Sequence, residues 1–198
     1  MPRRTYPFLE GGTHHLYNRG HNRQPIFRND SDDRTFLQGL RTYLGLGPAH
    51  GTQASGATLL AYGLMPNHFH RIVQPHDESL SGRRQRFLIS CVKTLNAECG
   101  RVGRLFHGQV QAMRVEADEH LTQLSTDVHR NPVEAGLVRR PSDREYSSCP
   151  EYLGARPGTL PDPGLVLDLC GGRRAYRRLL EAKAEPAAAD LEHLVLEE

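Results

Sequence analysis

In the stretch Tyr62-Gly63-Leu64-Met65-Pro66-Asn67-His68-Phe69-His70-Arg71-Ile72-Val73, apolar residues flank a Met-Pro-Asn turn on both sides. Short apolar runs bounded by turn residues are typical of buried strands, so we predict a hairpin with strands Leu59–Leu64 and His68–Val73. Residues i and i+2 of a strand point to the same face of its sheet. His68 and His70 are therefore expected to project side by side, and Phe69 is expected to enter the core behind them.

The histidine pair has two interpretations. Neutral imidazole is a common protein ligand for divalent metals, so two imidazoles on one rigid strand suit a metal site. A lone His-x-His sequence is more often a solvated or core pair, so the residues around it must decide.

Three further stretches accompany the pair, in an order that extends from about residue 2 to residue 154. They are His15-Leu16-Tyr17-Asn18-Arg19-Gly20, Leu105-Phe106-His107-Gly108-Gln109 and Val128-His129-Arg130-Asn131-Pro132-Val133-Glu134-Ala135-Gly136-Leu137-Val138. Together with Met-Pro-Asn-His-Phe-His, they resemble the HUH transposases that use a single tyrosine nucleophile. This family includes the insertion-sequence-200-like enzymes and the REP-associated tyrosine transposases.

The resemblance implies a strand-borne histidine pair that binds one Mg²⁺ or Mn²⁺, with a third ligand from a helix. The metal acts on the scissile phosphate of single-stranded DNA as a Lewis acid. A helix tyrosine attacks and forms a 5′-phosphotyrosine bond, which allows the strand to be rejoined elsewhere. Matched residue by residue, His68 and His70 are the metal pair and Asn131 is the third ligand. The nucleophile lies four residues earlier on the same helix face, and this chain has Asp127 there.

Asp127 departs from the family pattern, because an acyl phosphate is too labile to carry strand exchange. Three interpretations stay open. The chain is an inactive or altered transposase relative that still binds DNA; or Asp127 joins His68 and His70 in a metal site whose bound water hydrolyses DNA; or Asp127 is a solvated helix residue without a role. No other tyrosine is an obvious substitute, neither those in strands nor those beyond Pro132: Tyr17, Tyr62, Tyr146 and Tyr152.

Polar and basic residues in two places predict contacts with DNA. The net charge is only +2, so this prediction rests on local clustering and not on the total. One cluster lies in the turn after the first strand, and the other lies on one face of the second helix. A solvated surface is the competing explanation for both. The predicted DNA-binding residues are Asn18, Arg19, Arg23, Arg83, Arg84 and Lys93.

The resemblance implies single-stranded or hairpin DNA as partner, and a monomer or homodimer as the oligomeric state. The competing class is a non-catalytic DNA-binding module, such as a domesticated regulator, which Asp127 favours. Retention of His68, His70 and Asn131 favours an enzyme. A third class is a metal-dependent single-strand nuclease that uses water.

Hydrophobic spacing predicts helices over Asp30–Leu46 and Leu80–Glu98. A third helix is predicted from Asp118 to about His129, with its end at Asn131-Pro132, because the residue before a proline is disfavoured in the helical region. Short strands, an antiparallel hairpin and these helices indicate an α+β fold with helices on one face of the sheet. The resemblance implies a ferredoxin-like or RRM-like arrangement.

The domain organisation follows from composition and length. Residues 1–154 are predicted to form an HUH transposase-like domain, and residues 155–198 a linker and a C-terminal helical extension that breaks at Gly171-Gly172. Four widely spaced cysteines form no Cys-x-x-Cys pair, so a zinc knuckle is not predicted. No signal-like or membrane-length apolar run is present, which predicts a cytoplasmic protein with no membrane partner.

Overall fold

A computed structural model describes residues 8–45, 56–158 and 160–182. The strands in these ranges are β1 (Thr13–Arg19), β2 (Ala57–Met65), β3 (His68–Pro75) and β4 (Gln111–Val115). The helices are α1 (Asp30–Leu44), α2 (Leu80–Glu98), α3 (Asp118–Glu134), α4 (Cys149–Tyr152), α5 (Gly164–Cys170) and α6 (Arg173–Glu181). The predicted extension from residue 183 onward lies outside the described residues.

The four strands form one antiparallel sheet in the order β2-β3-β1-β4. In chain order the first six elements run β1-α1-β2-β3-α2-β4, and α1 and α2 pack together on one face of the sheet. This topology confirms the predicted α+β, ferredoxin-like class. The hairpin predicted from the Met-Pro-Asn turn is β2-β3, whose last pair is Met65 opposite His68.

Aromatic packing anchors α1 and α2 to the sheet. The ring of Phe36 in α1 lies 4.9 Å from that of Phe69 in β3 and 5.0 Å from that of Phe87 in α2. All three side chains are fully buried. The start of α1 is capped by the side chain of Asn29, which accepts hydrogen bonds from two backbone amides of the first turn.

The helices that follow β4 pack on the other face of the sheet. Apolar side chains of α3 and of the C-terminal helices bury one another and the β-sheet residues beneath them, and the cluster includes Ile72, Val115, Leu121, Leu124, Val128, Val166, Tyr176 and Leu180. The C-terminal helices therefore share a core with α3. The predicted break between them is confirmed, because Gly171 and Gly172 both have positive φ.

The predicted end of α3 at Asn131-Pro132 is wrong, because the helix continues through Pro132 to Glu134. Proline has no N–H, so the carbonyl of Val128, four residues earlier, loses its intrahelical partner. That carbonyl faces Gly63 in β2, where an added Cβ would lie only 2.9 Å from its oxygen. Gly63 therefore lets the proline-containing turn of α3 come close to the sheet.

None of the helices in the described ranges is long and apolar enough to cross a membrane.

Candidate metal and nucleic-acid site

His68 and His70 lie side by side on the sheet face that α3 covers. Both are buried, at 2% and 0% exposure, and their ring centroids are 5.1 Å apart. Phe69 points to the opposite face and packs in the α1–α2 core. The predicted orientation of the three side chains is confirmed.

The His68 imidazole is neutral at physiological pH. Burial lowers its pKa to about 4, because the protein interior disfavours the charged ring. Its Nδ1 lies 2.7 Å from Oδ1 of Asn67, the last residue of the hairpin turn. An amide oxygen can only accept, so Nδ1 carries the single ring proton and Nε2 carries the lone pair.

Two neighbours of His70 on β1, His15 and Tyr17, are not among the site residues predicted from the sequence. Tyr17 is its cross-strand partner, and the two rings stack with centroids 5.9 Å apart. Nε2 of His15 lies 3.0 Å from Nδ1 of His70. The alternation in His15-Leu16-Tyr17 was a usable signal for a shared face. Which residues of β3 these two would meet depends on strand register, which the sequence does not state.

α3 crosses the sheet at the level of His70. Gly63 is the β2 residue paired with His70, and the Val128 carbonyl of α3 lies against that glycine. Asp127 and Asn131 are four residues apart, so they share a helix face. That face lies to one side of Val128.

His129 occupies the other flank of α3. Its Nε2 lies 2.6 Å from Ser148 Oγ, and its Nδ1 lies 2.7 Å from the Tyr176 hydroxyl of α6. It is fully buried, so its role in this network is packing. This network turns the Asp127–Asn131 flank away from the C-terminal helices.

Asn131 is nearly buried, at 9% exposure. Its Nδ2 has no hydrogen-bond partner within residues 8–45, 56–158 and 160–182. A buried polar atom without a partner is costly, and ligand-binding positions are among the places where such atoms persist.

Asp127 is buried at 8% exposure, so the interpretation that made it a solvated helix residue is wrong. Its Oδ1 accepts a hydrogen bond from Nε2 of Gln123 at 2.8 Å. Burial raises the pKa of Asp127 to about 6, and the Gln123 hydrogen bond opposes that shift. Across the described chain, no three His, Cys, Asp or Glu side chains are grouped to hold a metal ion. This gives no support to Asp127 as a third ligand beside His68 and His70.

Replacing Asp127 with Asn is expected to stabilise the fold at pH 8 and not at pH 4. A carboxyl whose folded pKa is about 6, against 3.8 unfolded, binds more protons when folded, so the parent loses stability as pH rises from about 4 to 6. The full shift corresponds to about 3 kcal/mol, and residual solvent contact reduces the expected gain to about 1 kcal/mol. Urea unfolding in EDTA at both pH values measures it. Asp168→Asn, at an exposed position, is the control. An equal effect at pH 4 and pH 8 would contradict the assignment.

The four tyrosines considered as substitute nucleophiles are placed differently by the fold. Tyr62 packs in the α1–α2 core, on the face away from the histidine pair. Tyr146 and Tyr152 are buried, and the hydroxyl of Tyr152 donates to the Leu60 carbonyl at 2.9 Å. Tyr17 differs from these three, because it is half-buried and lies on the histidine face.

Three of the predicted DNA-binding residues line one groove between α2 and the segment that precedes β4. The groove has a volume of about 810 Å³, and Asn18, Arg84 and Lys93 lie around it together with apolar side chains such as Ile89. Asn18 itself is buried, and its Oδ1 accepts the Arg19 amide.

The other three lie apart from this groove. Arg19 is the cross-strand partner of His68, on the sheet face that carries the histidine pair. Arg23 is exposed, in a turn with positive φ. Arg83 donates from Nε to Ser79 Oγ at 2.7 Å and approaches Asp77, so the fold already engages its guanidinium.

The fold is similar to that of a solved transposase. The protein described as the REP-associated tyrosine transposase bound to a REP hairpin aligns with 78% of this chain and 86% of its own. The TM-score is 0.58 and the sequence identity is 17%. No family model and no curated protein matches the chain. At this identity the likeness shows a shared fold.

This likeness assigns no function to individual side chains. Any role proposed for His68, His70, Asn131 or Asp127 therefore depends on where these residues lie in the described fold.

Proposed function

We propose that this chain is a DNA-binding protein of the HUH transposase type. It binds single-stranded or hairpin DNA, holds Mg²⁺ or Mn²⁺ through His68, His70 and Asn131, and lacks strand transfer because Asp127 stands at the nucleophile position. The observation that carries the proposal is a buried histidine pair on the sheet face that α3, which bears Asn131, crosses at Gly63, within a fold shared with a hairpin-bound transposase.

The residues present fit a divalent ion. Two imidazole nitrogens at about 2.1 Å from one ion place their ring centroids roughly 4.6–5.3 Å apart for ligand angles of about 90–110°, and the observed separation is 5.1 Å. His68 is neutral, as a ligand must be, and the side chain of Asn131 carries a buried nitrogen that has no hydrogen-bond partner among the described residues. Turning that amide offers its oxygen, a donor that suits Mg²⁺ and Mn²⁺. When bound, such an ion supplies Lewis-acid polarisation of a phosphate.

The chain's own residues explain DNA binding without strand transfer. Arg19 lies beside His68 on the same face and can contact a backbone phosphate. The carboxyl of Asp127 repels a phosphate when it is ionised. It provides no phenol oxygen for a stable phosphodiester link. The fold therefore supports binding and positioning of the strand, and Asp127 prevents the covalent step.

The α3 helix also bears on how the site is assembled. It packs against β2 of its own chain and is held on its other flank by Tyr176 of its own α6. These contacts support a site to which one chain contributes His68, His70 and Asn131. Such a site is complete in a monomer and in each half of a homodimer.

The second candidate is a non-catalytic DNA-binding module, which the buried carboxyl at position 127 favours. A pure binder has no need of a metal, so metal binding separates the two candidates. The nuclease alternative, with Asp127 as third ligand, has no support from the described side chains.

Loss of Mn²⁺ binding in His68→Ala is the expected result that tests the metal site. Outer-shell partners of metal ligands are alone worth about 10–100-fold in affinity, so removing a ligand is expected to cost more than about 100-fold. Electron paramagnetic resonance titration of free Mn²⁺ measures the affinity. His76→Ala, at an exposed histidine after β3, is the matched control and is expected to bind like the parent. Equal affinity in His68→Ala and the parent would overturn the metal site and favour the binding module.

A further inference from the structure

Both histidines of the candidate pair are held through the same ring atom. Nδ1 of His68 lies 2.7 Å from Asn67 Oδ1, and Nδ1 of His70 lies 3.0 Å from His15 Nε2. The two partners come from different places, the hairpin turn and strand β1. In each ring, Nε2 is therefore the atom with which the histidine would bind an ion.

The position of the ring proton decides whether Nε2 can bind. A neutral imidazole has one N–H and one lone pair, and a metal needs the lone pair. Asn67 Oδ1 is an acceptor, so it holds the proton of His68 on Nδ1. The His15–His70 bond contains a single proton, and His70 has a lone pair on Nε2 when it donates and His15 accepts.

The surroundings of His70 also restrict rotation of its ring. His15 is almost fully buried, and its ring lies 5.2 Å from that of His70, with the two planes only 20° apart. The Tyr17 ring stacks on both, at 5.0 Å from His15 and 5.9 Å from His70. A tilt of the His70 ring would break this stack as well as the hydrogen bond.

We propose that His15 and Asn67 are positioning residues, which hold His70 and His68 with the proton on Nδ1 and direct Nε2 toward a divalent cation. This inference rests on the proposed function, because it assigns the partners that orient the two ligands of that site. Outer-shell acceptors of this kind fix ring orientation and raise ligand basicity.

The test begins with the metal-free full chain. Long-range ¹H–¹⁵N NMR of labelled imidazoles identifies which nitrogen carries the proton, and the expected result is Nδ1–H for both His68 and His70. In Asn67→Leu and His15→Leu, the Nδ1–H signature is expected to weaken at the corresponding histidine. Mn²⁺ affinity is expected to fall about 10–100-fold in each variant.

Variants that restore an acceptor provide the matched controls. Asn67→Asp and His15→Gln each return an oxygen that can accept from Nδ1–H, and they are expected to recover most of the lost affinity. A purely structural role for the two side chains predicts no such recovery. Amide NMR spectra of all four variants check that the fold is kept.

The outcomes separate this inference from the proposal on which it rests. Normal Mn²⁺ binding in both leucine variants, or a metal-free His70 with its proton on Nε2, overturns the positioning role alone. Failure of the parent chain to bind Mn²⁺ overturns the metal site, and the positioning role with it. Loss in the leucine variants with recovery in Asn67→Asp and His15→Gln supports both.

Discussion

Asp127→Tyr is expected to form a covalent protein–DNA adduct where the parent chain forms none. The substitution places a phenol on the α3 flank that carries Asn131, at the level of the histidine pair. The phenol oxygen attacks the scissile phosphorus, the bond from phosphorus to the 3′ oxygen breaks, and a 3′-hydroxyl leaves. The product is a 5′-phosphotyrosine, which persists through denaturation.

The assay follows directly from this bond pattern. Hairpin DNA with single-stranded flanks is labelled at its 3′ end, because the downstream strand is the part that stays on the protein. It is incubated with Mn²⁺ and then run on a denaturing protein gel. The expected result is a labelled protein band for Asp127→Tyr and no such band for the parent. Asp127→Phe controls for aromatic bulk and is expected to give no band.

A covalent adduct formed by the parent chain would contradict this expectation. A labelled band from the parent would show that a residue other than position 127 attacks. Tyr17 is the tyrosine to test, because it lies opposite His70 and is half-buried. Loss of the band in Tyr17→Phe would assign the nucleophile to β1.

Arg71→Met is expected to stabilise the fold by about 1–4 kcal/mol, because buried charge is costly and an apolar replacement of similar volume removes that cost. Arg71 is fully buried in the α1–α2 core, and none of its three guanidinium nitrogens has a hydrogen-bond partner in the described part of the chain. Burial lowers its pKa to about 9, and the charge of Arg84 adds to the shift, yet the group stays protonated at neutral pH.

Aromatic rings offset part of this cost. The guanidinium carbon of Arg71 lies 4.8 Å from the Phe69 ring centroid, 5.5 Å from that of Phe87 and 5.7 Å from that of Phe36. Cation–π contacts contribute about 0.5–2 kcal/mol, whereas the desolvation of a buried ion costs several kcal/mol. The net effect of the charge is therefore expected to be destabilising.

Urea unfolding at neutral pH measures the effect and separates charge from volume. Arg71→Met keeps a long side chain among the three rings. Arg71→Ala leaves a cavity and is expected to lower the free energy of unfolding by about 2 kcal/mol or more relative to Arg71→Met. A loss of stability in Arg71→Met would contradict the account and would show that the contacts of the guanidinium with the three rings outweigh the cost of its desolvation.

The spacing of apolar residues and the positions of turn residues were enough to predict most of the fold. The turn and apolar runs around His68 gave the hairpin, helical spacing gave α1 and α2, and the paired glycines gave the break between α5 and α6. The end of α3 is not predicted correctly, because Pro132 indicates a helix end in the sequence and the helix continues through it. The helix can continue through Pro132 at this point because Gly63 of β2 has no side chain to clash with the Val128 carbonyl. That is a tertiary contact, and sequence spacing does not contain it.

The candidate site was predicted only in part, because sequence spacing does not contain the contacts between different strands and helices. Alternation along β3 placed His68 and His70 on one face and puts Arg71 on the face of Phe69, but it does not show that a guanidinium would be fully buried there. His15 and Tyr17 join the site through the register of β1 against β3. Asp127 had a clear sequence position, and only the packing of α3 showed that its carboxyl is buried.

Binding of the unaltered chain to hairpin DNA tests the central claim most directly. A pool of labelled hairpins with randomised single-stranded flanks is compared, by fluorescence anisotropy at physiological salt, with a pool of equal length whose stems cannot pair. Non-specific affinity is typically about 10⁻⁴–10⁻⁶ M under these conditions, and the account predicts binding of the hairpin pool at least about tenfold tighter than that of the unpaired pool. Equal affinity for the two pools, or no binding of either, would contradict it.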